Sequence, residues 1–146
     1  MTNEDLKQLE KRGLLTFDPE NGLFDMHPLV RQYAYERLSA HERVLSHQRA
    51  YEHLKQDNVG SPETFEQLVI LIDIFHQAVS SNNFKAAYEI YVNRMEHQAL
   101  WNLGLYQTRL RLLTTLVDGW SQQPANNDSE QLAEAFKYHA YAEGYS

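Results

Sequence analysis

The stretch from Ser61 to Val79 does most to limit what this chain can fold into. Ser61 before Pro62 reads as an N-cap followed by a first helical residue that needs no amide proton. The helix they open puts Phe65, Leu68, Val69, Ile72, Phe75 and Val79 on one side, and Leu71, Ile74 and Ala78 on a second. A helix apolar on two sides has to be covered on two sides, so the spacing predicts the central member of an α-helical stack. Its run from Leu68 to Phe75 includes Asp73 and is far too short to cross a bilayer.

The rest of the chain is cut by punctuation. Six glycines (13, 22, 60, 104, 119, 144) and four prolines (19, 28, 62, 124) are read as falling between periodic stretches. Residues 3–12 form a short polar helix with Leu6 and Leu9 on one side, closed by Gly13. Leu14-Leu15-Thr16-Phe17 and Leu23-Phe24-Asp25-Met26 flank the turn-rich Asp18-Pro19-Glu20-Asn21-Gly22, which predicts a small β-hairpin. Pro28 then opens a helix expected to bury a face of Leu29, Val30, Tyr33, Ala34 and Leu38. The next helix, after Ser39-Ala40, carries Val44, Leu45, Tyr51 and Leu54 and ends in a candidate hinge, Asp57-Asn58-Val59-Gly60. Beyond the Ser61 helix come helices over residues 83–99 and 105–117, a polar loop at 124–128, and a last helix starting near Ser129. A weak repeat joins two of these: Asn82-x-Phe84-x-x-Ala87-x-x-Ile90-Tyr91 recurs as Gly104-x-Tyr106-x-x-Arg109-x-x-Leu112-Leu113.

Charge and composition exclude several classes of function. Against 20 Asp and Glu stand 13 Lys and Arg, net −7, which argues against nucleic acid or an anionic membrane as the main partner. With no cysteine there is no disulfide frame, zinc ribbon or thiol nucleophile. The charged N-terminus has no apolar core like that of a signal peptide, and a cytoplasmic location is expected. Residues 1–56 carry 8 basic and 9 acidic side chains, whereas 57–146 carry 5 and 11, so two units, 1–56 and 57–146, are expected to meet at the hinge.

Chemistry-bearing constellations are few. His41, His47 and His53 share a helix, but steps of six residues turn about 240° and do not converge on one metal. His41-Glu42 fails as a zinc-protease start, because Leu45 stands where a second histidine is needed. Asp25 lies close to His27 in sequence, yet no nucleophile and base can be paired, and no catalytic or metal-binding residue is assigned.

The informative succession is a helix, Arg12-Gly13-Leu14-Leu15, a hairpin with Phe24-Asp25-Met26-His27-Pro28, then Leu29-Val30-Arg31-Gln32-Tyr33-Ala34. It resembles the end of the winged-helix domain in NB-ARC-type STAND signalling ATPases, where a Met-His-Asp motif joins the wing to the next helix. Met26 and His27 match that motif, and Pro28 stands in place of the aspartate. The resemblance implies that His27, with Met26 beside it, reaches the β-phosphate of ADP in a parent protein and helps hold the resting state closed. Residues 76–113 are similar to the helical region that follows such winged helices in bacterial proteins with tetratricopeptide arrays. Residues 133–145 look like the first helix of a repeat, with Leu132, Phe136 and Ala140 inward and Tyr138 and Tyr141 left exposed.

No P-loop is present, so the resemblance implies a regulatory and protein-interaction fragment of a larger ATPase, not itself an enzyme. Its fold would be mainly α: part of a winged helix with a small β-hairpin in 1–56, then a helical stack like tetratricopeptide (TPR) repeats in 57–146, truncated at its end. The chain would hold no cofactor, with ADP or ATP bound by the parent. Its partners would be proteins and the parent's nucleotide-binding domain, with weak self-association through the last helix. The alternative is a freestanding winged-helix DNA-binding transcription regulator, with Lys7, Lys11 and Arg12 on phosphates, although Glu4, Asp5 and Glu10 nearly cancel them.

Overall fold

The computed structural model describes residues 3–20, 22–56, 60, 62–100, 104–123 and 129–144. The described residues are mainly helical, and among them the one sheet is a two-stranded antiparallel hairpin. By its contacts it divides into two compact units, 1–43 and 44–146. Asp57, Asn58 and Val59 of the expected hinge lie outside the described residues.

In the first unit, α1 (Asn3–Lys11) stops where the sequence says it should. Gly13 takes φ +70°, and the Leu14 and Gly13 amides donate to the Leu9 and Glu10 carbonyls at 3.0 and 2.8 Å. These paired bonds close a helix whose next residue is left-handed. The chain then runs into β1 (Leu15–Asp18) and β2 (Leu23–Met26), with Leu15 opposite Met26 and Phe17 opposite Phe24. Those four residues share one face of the hairpin, where the Phe17 and Phe24 ring centroids lie 4.8 Å apart.

Pro28 opens α2 (Pro28–Arg37) as expected, but the apolar face read from its spacing is not buried. Leu29 is 69% exposed and Tyr33 is exposed too. The cause is size: Leu15 is the one buried residue among those described in this unit, and so short a stretch has no core large enough to cover a helix. The guanidinium groups of Arg37 and Arg43 lie over the Tyr33 and Tyr35 rings instead. α3 (Ala40–Leu54) begins on a reciprocal cap, in which the Ser39 hydroxyl accepts the Glu42 amide and the Glu42 carboxylate accepts the Ser39 amide.

In the second unit, α4 (Phe65–Ser80) starts later than Ser61-Pro62 suggested. Thr64 is its N-cap: the hydroxyl accepts the Gln67 amide and the Gln67 side chain returns to the Thr64 amide, each at 3.3 Å. This box satisfies two donors where a lone serine cap satisfies one. Pro62 lies ahead of the helix, and Ser61 is outside the described residues. α4 buries Leu68, Leu71, Ile74, Phe75 and Ala78, while Phe65 is 61% exposed and Val69 is exposed. One side is covered, not two.

The central place falls to α5 (Phe84–Ile90), which buries Phe84, Ala87, Tyr88 and Ile90 and touches α4 and the helices that follow it. The corner before it is built by two asparagines. Asn82 takes φ 61° to end α4, and the Asn83 side chain caps α5 through the Ala86 amide. The helix expected over 83–99 does not continue as α: residues Tyr91–Leu100 form a π-helix. α6 (Tyr106–Ser121) and α7 (Ser129–Glu143) complete the unit.

Two further expectations are corrected here. Gly119 sits inside α6 and breaks nothing; a Cβ on it would stand 2.7 Å from Phe84 Cε1, so its bareness lets α5 and α6 approach. On α7 the covered positions are Ala135 and Ala142, with Leu132 and Tyr138 packed partly against the core. Phe136 and Ala140, expected inward, are exposed. The alanines let α7 lie close to α6, and that choice of face turns Tyr138 in and Tyr141 out.

Candidate functional site

The residues singled out by sequence sit at the junction of β2 and α2. Met26 ends β2 opposite Leu15, and His27 is the N-cap of α2, its Nδ1 accepting the Leu29 amide at 3.3 Å. A nitrogen that accepts carries no proton, so in this arrangement the ring's proton is on Nε2, the outer donor of an exposed side chain. Asp25 is turned elsewhere. Its Oδ1 accepts from Arg31 Nη2 at 2.6 Å and from the Met26 amide at 2.8 Å, and Arg31 also reaches the Met26 carbonyl. Arg31 thus pins the turn that presents His27, through an exposed ion pair of small energetic worth.

A second polar centre lies inside the helical unit, and sequence reasoning missed it. Glu96 of the π-helix is 2% exposed and Arg109 of α6 is 4% exposed. Arg109 meets the carboxylate with both Nε and Nη2, in the bidentate geometry that suits guanidinium. The Tyr91 hydroxyl donates to the same carboxylate. Nearby, Tyr88 donates to Glu134 of α7, and the Tyr138 ring stands edge-on to Tyr91 with centroids 6.4 Å apart. One signal in the sequence pointed here: Tyr91, Met95 and Leu100 drift off the 3.6-residue period, and the charged pair falls where that drift leads.

Burial pushes the Tyr91 hydroxyl above the ordinary tyrosine range, and its bond to Glu96 adds to this. Tyr88 is raised by burial and then by Glu134. Tyr138 is raised by burial, then by the charges of Glu134 and Glu96. Burial works against the Arg109 charge, but Glu96 and Tyr91 outweigh it and the guanidinium is held above its usual value.

A raised phenol holds its proton more tightly in the folded state. Its stabilisation is complete below the unfolded value of 10.0 and is lost as pH rises beyond it. Of nine tyrosines, these three should resist ionisation past pH 10 until the unit unfolds. Absorbance titration followed beside circular dichroism checks this, and one smooth step for all nine with helicity intact would contradict it.

Other groupings have simpler roles. The Thr114 hydroxyl, His139 and Glu143 stand in a row, but that hydroxyl also bonds the Leu110 carbonyl at 2.9 Å and Glu143 is 3.8 Å from the imidazole. The amides around Thr114 belong to the α6 ladder, so the row clamps α6 to α7 and offers no oxyanion donors. His47 likewise ties α3 to α4 through Gln77 at 2.7 Å. A shallow cavity of about 590 Å³ between α4 and α6 is lined by Ile72, His76, Thr108, Arg111, Leu112 and Thr115. Among the described residues no three His, Asp or Glu side chains converge as a metal site would require, and no helix is long and apolar enough to cross a membrane. No family model, curated protein or solved structure matches this chain.

Proposed function

We propose that the chain is a regulatory and protein-interaction part of a STAND, NB-ARC-type, signalling ATPase. In this reading residues 1–56 are the end of a winged helix with its following helix, and residues 57–146 bind protein partners. The observation that carries it is the exposed His27 at the hairpin-to-helix turn, which caps α2 with Nδ1 and leaves Nε2 as the ring atom for an outside ligand. A phosphate oxygen of ADP bound by the parent is an acceptor of the right charge for the proton on Nε2. Arg31 supports the reading by holding the turn through Asp25 and the Met26 carbonyl. The acidic first turn of α1, Glu4 and Asp5, weighs against the DNA-binding alternative.

A lone imidazole supplies one contact where phosphate sites use several amides and a cation, so the isolated chain should bind ADP no tighter than millimolar. In the intact parent, His27→Ala should speed ADP release by about tenfold, the worth of one hydrogen bond to a charged group, and raise basal signalling. Fluorescent-nucleotide release measures the first quantity. Unchanged release from a folded variant would remove the role assigned to His27.

A further inference from the structure

Residues 91–100 read Tyr-Val-Asn-Arg-Met-Glu-His-Gln-Ala-Leu. Only the spacing of the buried Tyr91, Met95 and Leu100, in steps of four and five, favours a wider helix than α. The stretch holds no glycine or proline, and six of its ten residues (Arg, Met, Glu, Gln, Ala and Leu) are good α-helix formers, with Tyr, Val, Asn and His only middling. Yet the π register runs for 10 residues, where a single wide turn is the usual extent. Local preference and observed register disagree, so the register is imposed by contacts outside the segment's own backbone.

The contact that reads the register is the bond from Tyr91 to Glu96, five residues apart. In an α-helix, residues at that separation are turned about 140° from one another. In a helix bonded i to i+5 they lie about one turn apart, on the same side. Arg109 of α6 grips the same carboxylate, so Glu96 faces both partners only while the segment is wide. An α register continuing α5 would swing Glu96 away from α6 and carry Leu100, now fully buried, away from the core.

We propose that the buried Glu96–Arg109 pair, with Tyr91, is a register lock: it holds residues 91–100 in the π form, and without it they relax to α. Buried ion pairs often add little net stability against apolar replacements, and fixing one arrangement among competitors is their best-attested use. The competing explanation is that burial of Leu100 sets the register. The two separate by substitution.

The experiment is solution NMR on the full chain, reading couplings across hydrogen bonds to learn whether each amide in 96–100 donates five or four residues back. The parent sequence should show five. Glu96→Leu/Arg109→Leu, which removes both charges together and keeps apolar volume, should show four while melting remains cooperative. Leu100→Ala should keep five. Tyr91→Phe should also keep five, but with amide exchange through 91–100 faster by about tenfold and α4 and α6 unchanged. The lock is overturned if the double variant keeps five, if Leu100→Ala alone converts the segment, or if Tyr91→Phe leaves exchange across 91–100 unaltered. This last arm holds even if the double variant does not fold.

Discussion

Arg109→Leu alone should destabilise the helical unit by about 3–5 kcal/mol, because it strands the Glu96 carboxylate inside the core without its cation. Glu96 is almost wholly covered, on the π-helix. Glu96→Leu alone should cost a similar amount by stranding the guanidinium instead. Against the about 5–15 kcal/mol that holds a typical domain together, either loss is a large fraction of the total. Changing both residues to Leu should recover part of either loss, since an apolar pair pays no desolvation, the remainder being the burial of Leu100 given up as the segment relaxes to α. Urea unfolding followed by circular dichroism gives all three values. Single and double variants of equal stability would mean that the pair is solvated after all.

Gly119→Val should destabilise the helical unit by overpacking, without touching a charge. The valine Cβ would start 2.7 Å from Phe84 Cε1 and 3.1 Å from Cζ. The ring cannot swing aside easily, for it is buried and stacked on Trp120, centroids 6.2 Å apart and planes 16° apart. Removing a helical glycine ordinarily gains up to about 1 kcal/mol of propensity, while forcing atoms into a packed core costs about 1–3 kcal/mol or more. Overpacking wins here, and a net loss of about 2 kcal/mol should lower Tm by roughly 10 °C. Phe84→Leu introduced beside it should recover part of that loss by vacating the ring's edge. A thermal melt in which Gly119→Ala raises Tm, as it would on an open helix, would show that α5 and α6 are not held at contact distance.

Where the deciding interactions were local, the fold was legible. The left-handed Gly13, the pairing of Leu15–Asp18 with Leu23–Met26 and Pro28 as a first helical residue all rest on neighbours close in sequence. The start of α4 was misread by a turn because two N-cap patterns overlap, and the reach of Gln67 back to Thr64 decided between them. Which face a helix buries was less legible. α2 has the apolar spacing of a covered helix and no core to cover it, and α7 turns its alanines inward because α6 comes close. Of the candidate site, Met26 and His27 could be named from the motif, but the N-cap role of His27 came only with the structure. Glu96 and Arg109 stand 13 residues apart, and the change of helical period between them hides their meeting from any reading at 3.6 residues per turn.

The thinness of burial in residues 1–43 sets a timescale as well as a stability. With Leu15 as the sole buried side chain among those described there, and with a ladder that reaches no further than from Leu15 to Met26, this unit is built from hairpin and single-helix contacts, which on their own form within microseconds. Its amides are therefore at the low end of protection, opening by local excursions that leave the helical unit intact.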